Sequence, residues 1–308
     1  MKQKTIFVSI VLFFPFVLSI HAQQNDSPIL KGSYLGQKPP GMIPELFSPG
    51  VISSDINEHS PAAFSPDGKE VYWAVTDGRM MMIKYMKQEN DRWTAPQSPS
   101  FAEGLECSSP VFSVDGKKLF FTSQDRSKNW EITLWFVEKT SSGWSERKRV
   151  DSIINTGDLG YQVSLLKDGT LYFGSARAGG FGQEDIYRSR LLNGKYTTPE
   201  NLGSSINSEF IEASVFVAPD ESYLLFTRIK MENREPDINF FVSYRKRDGT
   251  WTQAVDISER LDSKSSAFWI GLSPDGKYIF FVKRKGRASD MYWVSSRILD
   301  EFKPEGIK

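Results

Sequence analysis

"FSPDGKEVYWA", residues 64–74, runs from an aromatic residue through two polar ones into an Asp-Gly turn, then into a nearly alternating apolar stretch. The chain writes it again as "FSVDGKKLFFT" (112–122), "LLKDGTLYFGS" (165–175), "VAPDESYLLFT" (217–227) and "LSPDGKYIFFV" (272–282). With the turn aspartates Asp67, Asp115, Asp168, Asp220 and Asp275 as anchors, the intervals are 48, 53, 52 and 55 residues. A period of that length marks a solenoid or a propeller.

Each repeat reads as four strands. A short apolar stretch precedes the anchor, as in "PVF" or "ASVFV", and a stronger one follows it, as in "EVYWAV" or "YIFFVK". Asp-Gly favours a two-residue hairpin connection, which makes these two strands antiparallel neighbours. A third strand follows a polar loop ("ITLWFVEK", "DIYRSRL"), and an aromatic residue near the start of a fourth recurs as Trp93, Trp144, Tyr196, Trp251 and Phe302. Recurrence at one repeat position is the mark of packing between neighbouring sheets. Four strands per repeat without helical periodicity predict an all-β fold, a single β-propeller.

The ends set the blade number. "IPELFSPGVISSDIN" (43–57) reads as the tail of a repeat that has no beginning, and the last repeat stops at "EFKPEGIK" without such a tail. Joining the two predicts five four-stranded blades over residues 43–308, the N-terminal segment closing the last blade and leaving no free sheet edge. Six blades is the alternative.

The hairpins, together with "SARAGGFGQEDIYRS" (175–189) and "TPENLGSSINSE" (198–209), resemble the WD40-like PD40 repeats of TolB-like propellers over about residues 43–304. The resemblance implies the fold. It implies no single function, because such propellers include interaction proteins and domains attached to peptidases. Asp185 and Asp290 keep the aspartate of the family's "DIY", whereas Thr133 and Asn239 stand there in the second and fourth repeats, and Asp220-Glu221 replaces Asp-Gly.

The first 22 residues place Lys2 and Lys4 before an apolar run from Ile6 to Ile20 and then Ala22, the pattern of a secretory signal peptide. Residues 23–42, polar and rich in Pro and Gly, are expected to be a flexible N-terminal segment. The expected location is therefore the periplasm or the extracellular space, with no membrane span after cleavage. Loss of Lys2 and Lys4 leaves 36 basic against 38 acidic side chains. That balance gives no electrostatic reason for a nucleic-acid partner.

Cys107 is the only cysteine and His59 the only histidine beyond the signal segment. Nucleophile–imidazole pairs and zinc sites built on several histidines are thus disfavoured, and neither a metal site nor a cofactor is expected. Counting back from the anchors places His59 and Cys107 at one repeat position. The glycines of "ARAGGFGQED" are not followed by a helix, as a phosphate cradle requires, and Arg177 and Asp185 are expected to pair across that loop.

Two functions remain. One is a binding or scaffold module, expected to be monomeric, that takes a protein or a cell-envelope glycan on the rim opposite the Asp-Gly hairpins. Its candidate residues are Trp130, Tyr161, Arg177, Phe181, Glu212 and Arg228, types that carry binding energy when exposed. The other is a glycoside hydrolase or lyase using Glu58, Glu106 and Glu212 in the central funnel. Glu58 and Glu106 both stand nine residues before their anchors, Glu212 stands one place later, and paired carboxylates can serve as acid and base.

Overall fold

The computed structural model describes residues 30–307 apart from Arg234 and Arg287. The signal segment and residues 23–29 of the lead-in lie outside the described residues. No helix among them is long and apolar enough to cross a membrane.

Five blades close into a ring. From inside outward, blade 2 is Glu106–Phe112, Lys118–Asp125, Glu131–Thr140 and Lys148–Arg149. Blade 3 is Leu159–Leu165, Leu171–Ser175, Asp185–Ser189 and Glu200–Asn201, and blade 4 is Ile211–Val217, Tyr223–Glu232, Glu235–Tyr244 and Val255–Asp256. Blade 1 has a split inner strand, Asn57–Glu58 and Ala63–Phe64, followed by Glu70–Thr76, Met81–Glu89 and Arg92–Trp93. Blade 5 takes three strands from the end of the chain, Ala267–Leu272, Tyr278–Lys285 and Ala288–Ser295. Its outer strand is Glu45–Leu46, paired as Glu45 with Trp293 and Leu46 with Tyr292. The expected closure by residues 43–57 is thus the observed one.

The hairpins explain why the motif repeats. In blade 1 Ser65 pairs with Glu70 and the Gly68 N–H bonds back to the Ser65 carbonyl, so the connection is a four-residue loop rather than the expected two-residue one. Ser65 Oγ donates to Asp67 Oδ1 at 2.6 Å and accepts from the Glu70 N–H, while Asp67 Oδ1 also takes the Lys69 N–H. The same set recurs at Ser113–Asp115 and Ser273–Asp275. Serine and aspartate satisfy turn N–H groups that strand pairing leaves over. Gly68 has φ 69°, a left-handed conformation natural to glycine. In blade 4 Glu221 adopts it at φ 59°, and its carboxylate accepts from Tyr172 and lies 3.6 Å and 3.4 Å from Arg188 and Arg245. A network tying blade 3 to blade 4 offsets the strain of a non-glycine at that turn.

The core is divided into five clusters, each between two neighbouring blades. The recurrent outer aromatics belong to them or pack against them. Trp144 Nε1 of blade 2 donates to Tyr72 Oη of blade 1 at 2.8 Å, and Trp93 Nε1 donates to the Gly32 carbonyl. Residues 30–42 are accordingly no free lead-in: Leu35 is buried and Tyr34 packs edge-on against Phe64 and Tyr278.

The cluster between blades 5 and 1 is aromatic. Phe47 lies 4.9 Å from Phe280 and 5.0 Å from Trp293, and its N–H donates to the Met291 carbonyl. Ser53 Oγ adds bonds to both main-chain groups of Met291. Because Phe47 is fully buried at this seam, Phe47→Ala is expected to lower the unfolding free energy by about 3–5 kcal/mol. Urea unfolding followed by tryptophan fluorescence measures it, and a loss below about 1 kcal/mol would show that the seam carries little of the stability.

Candidate functional site

The inner strands bulge halfway along, and the bulges decide which side chains reach the axis. From Glu58 to Ala63 the inner strand of blade 1 advances five residues while its partner moves three, from Val75 to Tyr72. In blade 2 the inner strand advances three residues, from Ser108 to Val111, while its partner moves two, from Thr122 to Phe120. Glu58 therefore pairs with Val75, Cys107 with Ser123 and Glu212 with Arg228, each partner eight residues after its anchor. This corrects two readings based on counting. Glu58 corresponds to Cys107 and Glu212 rather than to Glu106, and His59 does not share a position with Cys107.

The three carboxylates are consequently in different surroundings. Glu212 is fully buried and bound by Arg228 Nε at 2.7 Å, the Ser208 N–H at 2.9 Å and Ser208 Oγ at 2.5 Å. Glu106 lies at the rim, gripped by Arg126 through Nε and Nη2 at 2.7 Å each. Glu58 is 1% exposed and neither oxygen has a partner. Burial, with a smaller contribution from Asp290 of blade 5, pushes it up to about 8.

At mid-depth the channel is plugged. His59 Nδ1 and Ser108 Oγ lie 3.0 Å apart, and the imidazole packs 4.1 Å from Trp269 and edge-on to Tyr161 at 6.0 Å. Gln162 Nε2 donates to the Ile270 carbonyl at 2.6 Å. Blades 1 and 3 are not neighbours, nor are 3 and 5, so these contacts cross the axis. Burial pushes His59 down to about 4.

The candidate binding residues fall into two groups. Tyr161 belongs to the plug, and its hydroxyl bonds Gln124. Arg228 is held by Glu212, donates to the Ile206 carbonyl and lies 4.4 Å from the Phe241 ring. Arg177 sits over Phe173 and Tyr187 at 5.1 Å each and donates to Ser175 Oγ. The expected Arg177–Asp185 pair is replaced: Asp185 accepts from the N–H groups of Phe181 and Gly182 and from Asn201 Nδ2, which folds the glycine loop over it.

Trp130 and Phe181 are instead 54% and 55% exposed, at the tips of the loops between second and third strands of blades 2 and 3. The corresponding loop of blade 1 holds Met80 at 44%, and near the loop end of the second strand of blade 4, paired with Pro236, stands Met231 at 53%. Sequence reasoning missed these two methionines, although their place in the repeat was the available signal. Arg126 stands 4.9 Å from the Trp130 ring and bonds the Arg79 carbonyl of blade 1, linking adjacent loops.

No family model matches the sequence, and no curated protein sequence matches it. Solved structures share its fold. TolB from Acinetobacter baumannii superposes with a TM-score of 0.51 at 19% identity over 80% of this chain, and the chain spans about half (53%) of that protein. An endo-arabinase from Bacteroides thetaiotaomicron gives 0.51 at 13% identity, covering 80% of this chain and 96% of its own. The β-fructofuranosidase BmSUC1 from Bombyx mori gives 0.51 at 13%, covering 78% and 60%. Likeness at these identities establishes the propeller fold alone.

The buried acid sets a pH dependence. Glu58 has a folded-state value above its ordinary 4.5, so its contribution to stability is complete below that pH and is lost as pH rises through about 8. His59, displaced from 6.5 to about 4, acts oppositely: its contribution is complete above pH 6.5 and is lost as pH falls through 4. Glu184, also raised by burial, to about 7, adds to the fall below that pH, so the Glu58 effect dominates between pH 7 and 8. Wild-type stability in urea is expected to fall by about 1 kcal/mol between pH 7 and 8 and Glu58→Gln to remove most of that slope; a slope equal in both proteins would contradict this.

Proposed function

We propose that this protein is an exported, non-enzymatic propeller that captures a protein partner on the rim carrying Met80, Trp130, Phe181 and Met231. The observation that carries the reading is that four of the five blades raise one large apolar side chain each on the same face. Ile56, exposed on the link that enters blade 1, adds a fifth. Aromatic and methionine side chains presented by a rigid ring are suited to a partner that covers several loops at once. Loops of different length on a constant scaffold, from "TDGR" to "RIKMENREP", give such a face its individuality.

Export rests on the basic and apolar run of residues 1–22. Kinship with PD40 and TolB-like propellers rests on the hairpin motifs, and the TolB superposition is in keeping with it. The shared fold with sugar-cleaving enzymes makes the hydrolase the competing reading. Against it stand the states of its three carboxylates: Glu58 has no exposed oxygen, Glu106 is held in a fork by Arg126, and Glu212 is buried in an ion pair. An acid–base pair must reach its substrate and exchange protons with it.

Immobilised wild-type protein and a Trp130→Ala/Phe181→Ala double variant, incubated with envelope extract, test the proposal. The variant is expected to lose at least about tenfold in capture of the partner retained by the wild type, at a stability cost within about 1 kcal/mol because both side chains are exposed. Equal capture by both, or glycan cleavage abolished by Glu106→Gln, would overturn it.

A further inference from the structure

The channel below the plug, on the side of the Asp-Gly hairpins, is open and belongs to no function considered above. All five blades line this funnel, which encloses about 160 Å³. Five of its lining residues, Pro61, Pro66, Pro110, Pro219 and Pro274, are prolines and offer no N–H group. Val111, Leu165, Phe216 and Leu272 supply much of the remaining apolar wall. Ring geometry and proline stiffness hold the funnel ready-formed, so little ordering cost attends its filling.

Polar groups along the wall are engaged, with one exception. Ser113 and Ser273 donate to their turn aspartates, Ser164 Oγ accepts from the Val217 N–H, and Ser109 Oγ lies 3.3 Å from Ser108 Oγ. Gln162, 7% exposed, forms the floor. Its Nε2 is committed to the Ile270 carbonyl, which fixes the amide orientation, and Oε1 is left buried with no partner. The unmet group at the floor is therefore an acceptor. An unsatisfied buried carbonyl oxygen is costly, and any molecule that donates to it relieves that cost.

The geometry points to a binding site for a small one-ring aromatic alcohol, a phenol, seated in the funnel with its hydroxyl donating to Gln162 Oε1. The volume is that of a cavity which accepts a single benzene ring, for which about 150 Å³ suffices. The wall is apolar as a ring face requires, and the floor offers an unpartnered acceptor, Gln162 Oε1, that a hydroxyl can meet. That combination selects a phenol over toluene, its methyl counterpart, although toluene gains more from leaving water. The site is separated by the plug from the rim proposed to bind a protein, so each can fail without the other.

Full-length protein is titrated with phenol and with toluene, and binding is read by ligand-observed NMR. Phenol is expected to bind about fivefold more tightly than toluene. Gln162→Leu is expected to abolish that preference. Should Gln162→Leu fail to fold for want of its tie to Ile270, Val111→Trp decides, since it fills the funnel from a half-buried wall position with Gln162 intact and is expected to remove both ligands. The site is overturned if neither ligand binds the wild type, if the preference survives Gln162→Leu, or if Val111→Trp leaves phenol binding unchanged.

Discussion

Everything at the axis of this protein depends on a two-residue strand. Four of the five blade interfaces join consecutive stretches of chain, but the fifth exists only because Glu45–Leu46 lies along Tyr292–Trp293. The pairing is short, and the strength of the seam comes from what surrounds it: Phe47 wedged among Phe280 and Trp293, and Ser53 bonded to Met291. Closure brings blade 5 against blade 1 and so sets Trp269 over His59 and Ile270 within reach of Gln162. An open ring would have neither plug nor funnel.

Much of this was legible in the sequence, because a repeat with a strong turn signal gives its own alignment. The Asp-Gly anchors gave the blades, and the orphan tail at residues 43–57 gave the closure. The anchors failed where the backbone inserts residues without changing the pattern of polar and apolar positions. A bulge of two residues in blade 1 and of one in blade 2 moves Glu58 out of step with Glu106, and nothing in "NEHSPAAF" or "ECSSPVF" announces the difference. A bulge also turns a side chain to the other face. The burial of Glu58 without a partner and the pairing of Glu106 with Arg126 follow from that one step.

The side chains chosen as binding residues divide on a property that sequence does not carry. Arginine and glutamate in a loop read as available, yet Arg228 and Glu212 face each other across paired strands and satisfy each other there. Trp130 and Phe181, read as binding residues on the same grounds, do stand exposed, and their exposure arises from loop conformation: Asn129 and Trp130 both take left-handed backbone angles that lift the indole outward, and Asp185 gathers the glycine loop so that Phe181 stands at its crest. Exposure is thus a consequence of local hydrogen bonding in each loop, which differs between blades that are otherwise alike.

The seam also has a bearing on the order in which the molecule can form. Ser53 and Met291, which bond across it, are 238 residues apart, so this contact carries one of the largest loop-closure entropies in the chain, whereas the hairpins within each blade are local. Blades can assemble as their residues become available. The N-terminal strand, however, must wait unpaired until the third strand of blade 5 exists. Until then Glu45–Leu46 and the edge at Tyr292–Trp293 are both open to the wrong partner, including the same edge of another copy. A strand this short gives little purchase to such an exchange, and its specificity comes from Phe47, which finds its aromatic pocket only when both halves of the seam belong to a nearly finished ring.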